Sequence, residues 1–181
     1  LFFGTPRRHK GLLETAQAMA AMGREDLCFL IVGDFPDEKL KIALEEVGGL
    51  DIRFLPDQPY ELIPEITQLG DICVLLQSET SLMARYQVPA KLTDALAAGI
   101  LVLLQPTPAT MEFVERGVVI PTSADLLTQT LRRALADPMA ADCVRENGKK
   151  HFRTNLSVEA CVPTLTAFLE NQTPLPNPRL L

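Results

Sequence analysis

The chain has 181 residues, 47% of them hydrophobic and 22% charged, enough for one domain with a buried core and too few for two large ones. Its net charge of −6 argues against a general nucleic-acid binder, which needs an excess of Lys and Arg, so any polyanion must be held by a local basic cluster. Cys28, Cys73, Cys143 and Cys161 show no metal-ligand or redox spacing, and His9 and His151 are the only histidines, so a zinc site or a His-based relay is hard to build.

The sequence opens on LFFG, an apolar run closed by Gly4. It thus starts inside a strand, and an excised domain is the expectation. A basic loop, GTPRRHKG, covers residues 4–11, and a helical pattern over 12–22 places Leu12, Leu13, Ala16 and Met19 on one stripe. Apolar runs at 27–32, 52–55, 72–76, 100–104 and 118–120 then alternate with helical patterns at 38–47, 59–68, 90–98 and 109–115. The runs are near-continuous in hydrophobicity, as in parallel strands buried on both faces. Cys28 and Cys73 lie within them and read as small buried hydrophobes, which suits a reducing, cytoplasmic setting. After residue 120 the pattern is helical only. Ser123 or Asp125 is the expected cap of a helix to 136, Pro138 opens one to 149, and Ser157 one to 171. The tail at 173–181 holds three prolines and is expected to be irregular. The alternation predicts an α/β fold, a three-layer α/β/α arrangement with a parallel sheet of about six strands and right-handed crossovers, followed by C-terminal helices. No apolar run approaches the length of a membrane span.

In an open parallel sheet, ligands bind beyond the C-terminal ends of the strands, at the switch point. The basic loop after the first strand collects Arg7, Arg8, His9 and Lys10. Cations beside the free N–H groups of a helix start make an anion site, most naturally for a phosphate. The loop is neither a GxxxxGK[ST] P-loop nor a GxGxxG fingerprint, and a solvated basic turn is the other reading of it. The second informative segment is VPAKLTDALAAG, residues 88–99. Pro89 suits the first turn of a helix and Gly99 its exit. Asp94, three residues after Lys91, is a natural acceptor for the two vicinal hydroxyls of a ribose. A carboxylate that merely complements the helix dipole is the alternative.

Together, in this order, these segments resemble the retaining GT-B glycosyltransferases of family four, the group 1 transferases. Gly4, Lys10 and Gly11 match G-R-x-x-x-x-K-G. IVGDFPD at 31–37 is similar to a VGDGP turn, and GDICVLLQS at 70–78 to the strand that follows it in the family. Pro89, Lys91, Leu92, Asp94, Ala95, Leu96, Ala97 and Gly99 follow P-x-K-L-x-E-A-[LM]-A-x-G. Glu112, Val114 and Gly117 are similar to the Glu and glycine turn after the fifth strand, and Asp137 with Pro138 to a closing DP step. The resemblance covers roughly residues 1–170.

The resemblance implies a Rossmann-like donor-binding domain over residues 1–172, with the acceptor-binding N-terminal domain absent. Such a half would bind a nucleotide diphosphate sugar, for transfer with retention, and would not turn over alone. Lys10, with Arg7, would stabilise the leaving diphosphate. Gly4, Thr5, Arg8, Pro89, Ala90 and Lys91 would line the donor site, and Asp94, one methylene shorter than the usual Glu, would hold the ribose. Gly33, Asp34 and the loop at 55–59, with Pro56 and Gln58, would form the nucleobase pocket. Two positions depart from the family. Thr5 stands where an Arg is expected, so that Arg7 or Arg8, Arg7 being favoured, would supply the guanidinium. Tyr86 stands where a sugar-contacting Glu is expected, and Glu79 replaces it if the loop at 78–88 carries an insertion. No metal or cofactor is implied, and any membrane contact would lie mostly in the absent half. Two readings compete: a degenerate domain that only binds or scaffolds a partner, which Thr5, Asp94 and Tyr86 favour, and half of a nucleotide-sugar epimerase. The missing glycine fingerprint disfavours a nicotinamide enzyme.

Overall fold

A computed structural model of the chain describes residues 1–77 and 82–170. The strands are β1 (Phe2–Phe3), β2 (Cys28–Val32), β3 (Asp51–Leu55), β4 (Ile72–Leu75), β5 (Leu101–Leu104) and β6 (Ile120–Pro121). They pair in parallel as two three-stranded ladders, β1-β2-β3 and β4-β5-β6. At the seam, the Leu1 amino group donates to the Ile72 carbonyl at 2.8 Å, which sets β1 beside β4. The order across the sheet is therefore 3-2-1-4-5-6, and the winding reverses between β1 and β4. In register, Phe3 pairs with Val32 and Val32 with Leu55, so these strands end level and their loops emerge along one rim.

The helices are α1 (Leu12–Ala20), α2 (Glu38–Glu45), α3 (Ile63–Gln68), α4 (Leu82–Tyr86), α5 (Ala90–Ala98), α6 (Met111–Glu115), α7 (Leu127–Ala136), α8 (Pro138–His151) and α9 (Val158–Glu170). Successive strand residues point to opposite faces, and the core divides accordingly. Phe2, Ile31, Val74 and Leu103 pack on the side of α1, α2 and α7. Phe3, Val32, Leu75 and Leu104 pack on the side of α3, α5 and α6. This is the expected three-layer, Rossmann-like architecture. Leu12, Leu92 and Leu96 are essentially sealed, each burial contributing about 1.5–3 kcal/mol. Ala95, with no exposed surface, lets α5 lie close on the sheet.

Several local expectations are corrected. Not every strand is buried on both faces: β3 alternates between exposed and half-buried residues, because it forms the edge and has one neighbour. Cys28 is exposed while Cys73 is buried. Cys28 begins β2 at its N-terminal end, opposite Asp51 of the edge strand, whereas Cys73 lies inside β4, where burial pushes its thiol up to about 11. The helix expected over 59–68 is divided into a 3-10 turn, Tyr60–Leu62, and α3, with Pro64 in the first turn of the latter, where its missing N–H costs nothing. Neither Ser123 nor Asp125 caps α7 by its side chain; the Ser123 carbonyl accepts from Leu126 N instead, at 3.1 Å. Asp137 does cap α8, accepting from Ala140 N at 3.0 Å, and Ser157 caps α9 through Ala160 N at 3.2 Å. The sequence carried no signal for α4. The tail at 173–181 lies outside the described residues, among which no helix is long and apolar enough to cross a membrane.

Candidate functional site

The loops after β1 and β2 are packed backbone to backbone. Gly4 N donates to Val32 O and Gly33 N to Leu55 O, both at 2.9 Å. A Cβ at Gly33, which sits at φ +138, would lie 2.5 Å from the Gly4 carbonyl oxygen, so only glycine permits this approach. The basic residues Arg8–Lys10 form a 3-10 turn closed by Gly11 at φ 67, and α1 begins at the next residue. A Cβ on Gly11 would overlap the Leu76 Cβ. The basic turn is thereby held against the end of β4, across the switch point.

Two ammonium groups converge there. Lys10 donates to the Thr5 carbonyl at 2.7 Å, with its Nζ 5.8 Å from the Phe2 ring centroid. Lys91 comes from the first turn of α5. Its Nζ lies 5.0 Å from the same ring and 5.8 Å from that of Phe3, and only 3.1 Å from where a Gly4 Cβ would stand. Both cations rest over an aromatic floor, a favourable placement. Among the described residues, neither joins an ion pair. Burial, reinforced by the positive charges of Lys91 and Arg7, pushes Lys10 down to about 8. Burial also lowers Lys91, which Cys73 and Asp94 partly oppose. Asp94, one turn along α5, is raised by burial against the pull of Lys91.

The remaining predicted residues are distributed around this pair. Arg8 turns away: its Nε donates to Asp37 Oδ2 at 2.9 Å, on the exposed surface, and holds that carboxyl below its usual range. Arg7 is exposed on extended backbone at the start of the turn, and Thr5 is exposed beside Lys10. Asp34 Oδ1 accepts from Asp57 N at 3.0 Å, which ties the loop after β2 to the loop after β3. Within that second loop, Gln58 Nε2 donates to Pro56 O at 3.1 Å. Pro89 caps α5 on extended backbone, leaving Ala90 exposed. Asp94 also lines a groove of about 380 Å³ between α3 and α5, with Tyr60, Ile63 and Pro64. Tyr86 ends α4 and is 80% exposed, so it presents no buried contact. Glu79 lies outside the described residues. The structure thus brings Gly4, Thr5, Lys10 and Lys91 together, with Gly33 behind them and Asp94 one turn on. The sequence reading had missed the Phe2 floor; its only signal was an aromatic residue in the strand before a basic loop. Among the described residues, no three His, Cys, Asp or Glu side chains assemble as a metal site.

The model of the family Glycosyl transferases group 1 matches residues 1–151. The putative colanic acid biosynthesis glycosyl transferase WcaI of Escherichia coli (strain K12) is 25% identical over 158 residues, 83% of this chain and 38% of WcaI. Anabaena HepE, solved in complex with UDP and glucose, has a similar fold with a TM-score of 0.79 at 16% identity, over 94% of this chain and 47% of HepE. The C-terminal domain of the glycosyl transferase group 1 family protein LpcC from Francisella tularensis is similar at a TM-score of 0.71 and 19% identity, over 87% of this chain and 85% of that one. The chain therefore spans less than half the length of WcaI or HepE. With most of its length matched by the family model and its fold shared with these proteins, the chain belongs to the group 1 glycosyl transferases.

Proposed function

We propose that this chain is the donor-binding half of a glycosyltransferase that moves a sugar from a nucleotide diphosphate sugar to an acceptor with retention. The observation that carries the reading is the pair of ammonium groups above Phe2 at the switch point, neither of them in an ion pair among the described residues. Two desolvated like charges are costly when empty and favour a dianion between them. As the glycosidic bond breaks, negative charge grows on the departing diphosphate. Lys10 fixed beside it favours that state over the ground state. Asp94 accepts the ribose hydroxyls, while Gly33 and the loop tied down by Asp34, with Pro56 and Gln58, form the nucleobase wall. The positive charge is assigned to side chains, and no metal is invoked.

HepE complexes with UDP and with UDP-glucose support a uridine nucleotide as the first ligand to try. Acceptor binding is assigned to a further domain, since WcaI and HepE are more than twice as long as the part matched; the chain alone binds donor without turnover. Calorimetric titration with UDP, GDP and ADP tests the reading. One of the three should bind, and Lys10→Ala should weaken it at least tenfold. No heat from any of them up to millimolar concentration would sink the donor site and favour the scaffold reading, which the exposed Tyr86 in place of a carboxylate supports.

A further inference from the structure

We infer that Lys91, not an arginine of the basic loop, is the second cation on the donor diphosphate and does the work left undone at Thr5. The inference rests on the donor-binding reading above. Three side chains compete for the role. Arg8 is committed to Asp37 at 2.9 Å. Arg7 is exposed on extended backbone where the turn begins. Lys91 packs its Nζ against Gly4, the residue directly before Thr5, and shares the Phe2 ring with Lys10 at 5.0 and 5.8 Å. It alone of the three lies on the same floor as Lys10.

The two lysines come from different elements, one from the loop after β1 and one from α5, and their ammonium groups meet over the Phe2 ring. A phosphate carrying two negative charges, set against both, neutralises them together. The mutual repulsion also couples them: an anion that neutralises one relieves the other, so removing either lysine weakens what the other contributes. Lys91 further sets the ligand's register. It lies three residues before Asp94, so one turn of α5 presents a cation for the phosphates and a carboxylate for the ribose on neighbouring positions.

The test is calorimetry of the intact chain with UDP, UMP and uridine. Lys91→Met should weaken UDP at least tenfold, bring UDP close to UMP in affinity and leave uridine unchanged. Lys91→Arg should retain most of the affinity, and Thr5→Arg added to Lys91→Met should restore part of it. Lys91→Gln serves as a second variant should methionine disturb folding, which far-ultraviolet circular dichroism reads directly. If the wild type binds UDP and a folded Lys91→Met or Lys91→Gln variant binds it equally, Lys91 is not on the diphosphate and the donor site stands without it. If Arg7→Met costs more than Lys91→Met, the loop arginine holds the place. If the wild type binds no nucleotide, this inference and the reading beneath it fall together.

Discussion

Replacing Gly11 by alanine should destabilise the chain far more than the same change at Gly23. Both residues have left-handed backbone, at φ 67 and φ 63. Holding an L-residue there costs about 1–2 kcal/mol, less about 0.4–1 kcal/mol recovered from a stiffer unfolded chain. At Gly23 nothing lies within 4 Å of a new methyl, so the loss should stop there, at about 0–1.6 kcal/mol on the same two estimates. At Gly11 the methyl would overlap the Leu76 Cβ and lie 2.8 Å from its Cδ1. Leu76 is buried at the end of β4 and has nowhere to go, which adds about 1–3 kcal/mol of overpacking. Urea unfolding followed by circular dichroism reads the difference. With a slope near 2 kcal/mol per molar, the Gly11→Ala midpoint should fall about 0.5–1.5 M below that of Gly23→Ala, with the slope unchanged. Because the displaced segment carries Lys10, nucleotide affinity should fall only in the Gly11 variant. Equal midpoints would refute the close approach of the basic turn to β4, and with it the placement of Lys10 in the crevice.

Lys10 also predicts a pH dependence of stability. Its folded value of about 8 lies below the ordinary 10.5, so between these values the unfolded chain holds more protons and stability rises with pH. This stabilising contribution is complete above 10.5 and is lost as pH falls through about 8. Lys10→Met should therefore raise Tm near neutral pH while flattening the rise towards alkaline pH; a variant with the wild-type profile would contradict the assignment. Arg8→Ala removes only an exposed bridge to Asp37, so it should cost about 1 kcal/mol or less and leave nucleotide affinity within about twofold of wild type. A loss matching that of Lys10→Ala would put Arg8 on the ligand.

The order of strands and helices was legible because apolar runs and amphipathic stripes report burial directly. Which strand lies at an edge was not. Arg53 breaks the run at 52–55 and hints at a one-sided strand, but only pairing reveals that β3 has a single partner; the exposure of Cys28 follows from the same cause. Lys10 and Asp94 could be singled out from their local sequence. The meeting of Lys10 with Lys91 could not, because it depends on α5 crossing the sheet to face the loop after β1. Pro64 announced a helix start, but the 3-10 turn before it is set by how the chain leaves β3. Tyr86 is a departure visible in the sequence, and the fold adds only that its ring faces solvent.

The seam between the two ladders has a dynamic consequence. Leu1 gives Ile72 one backbone bond, whereas β2 and β3 pair over five residues. The two ladders thus abut along a line held mainly by side chains, with Lys10 on one side and Lys91 and Asp94 on the other. A nucleotide gripping all three acts as a clasp across that line. Amide protons of β1 and β4 should then exchange with solvent more slowly in its presence than those of β3, and hydrogen exchange can follow occupancy of the crevice from within the sheet itself.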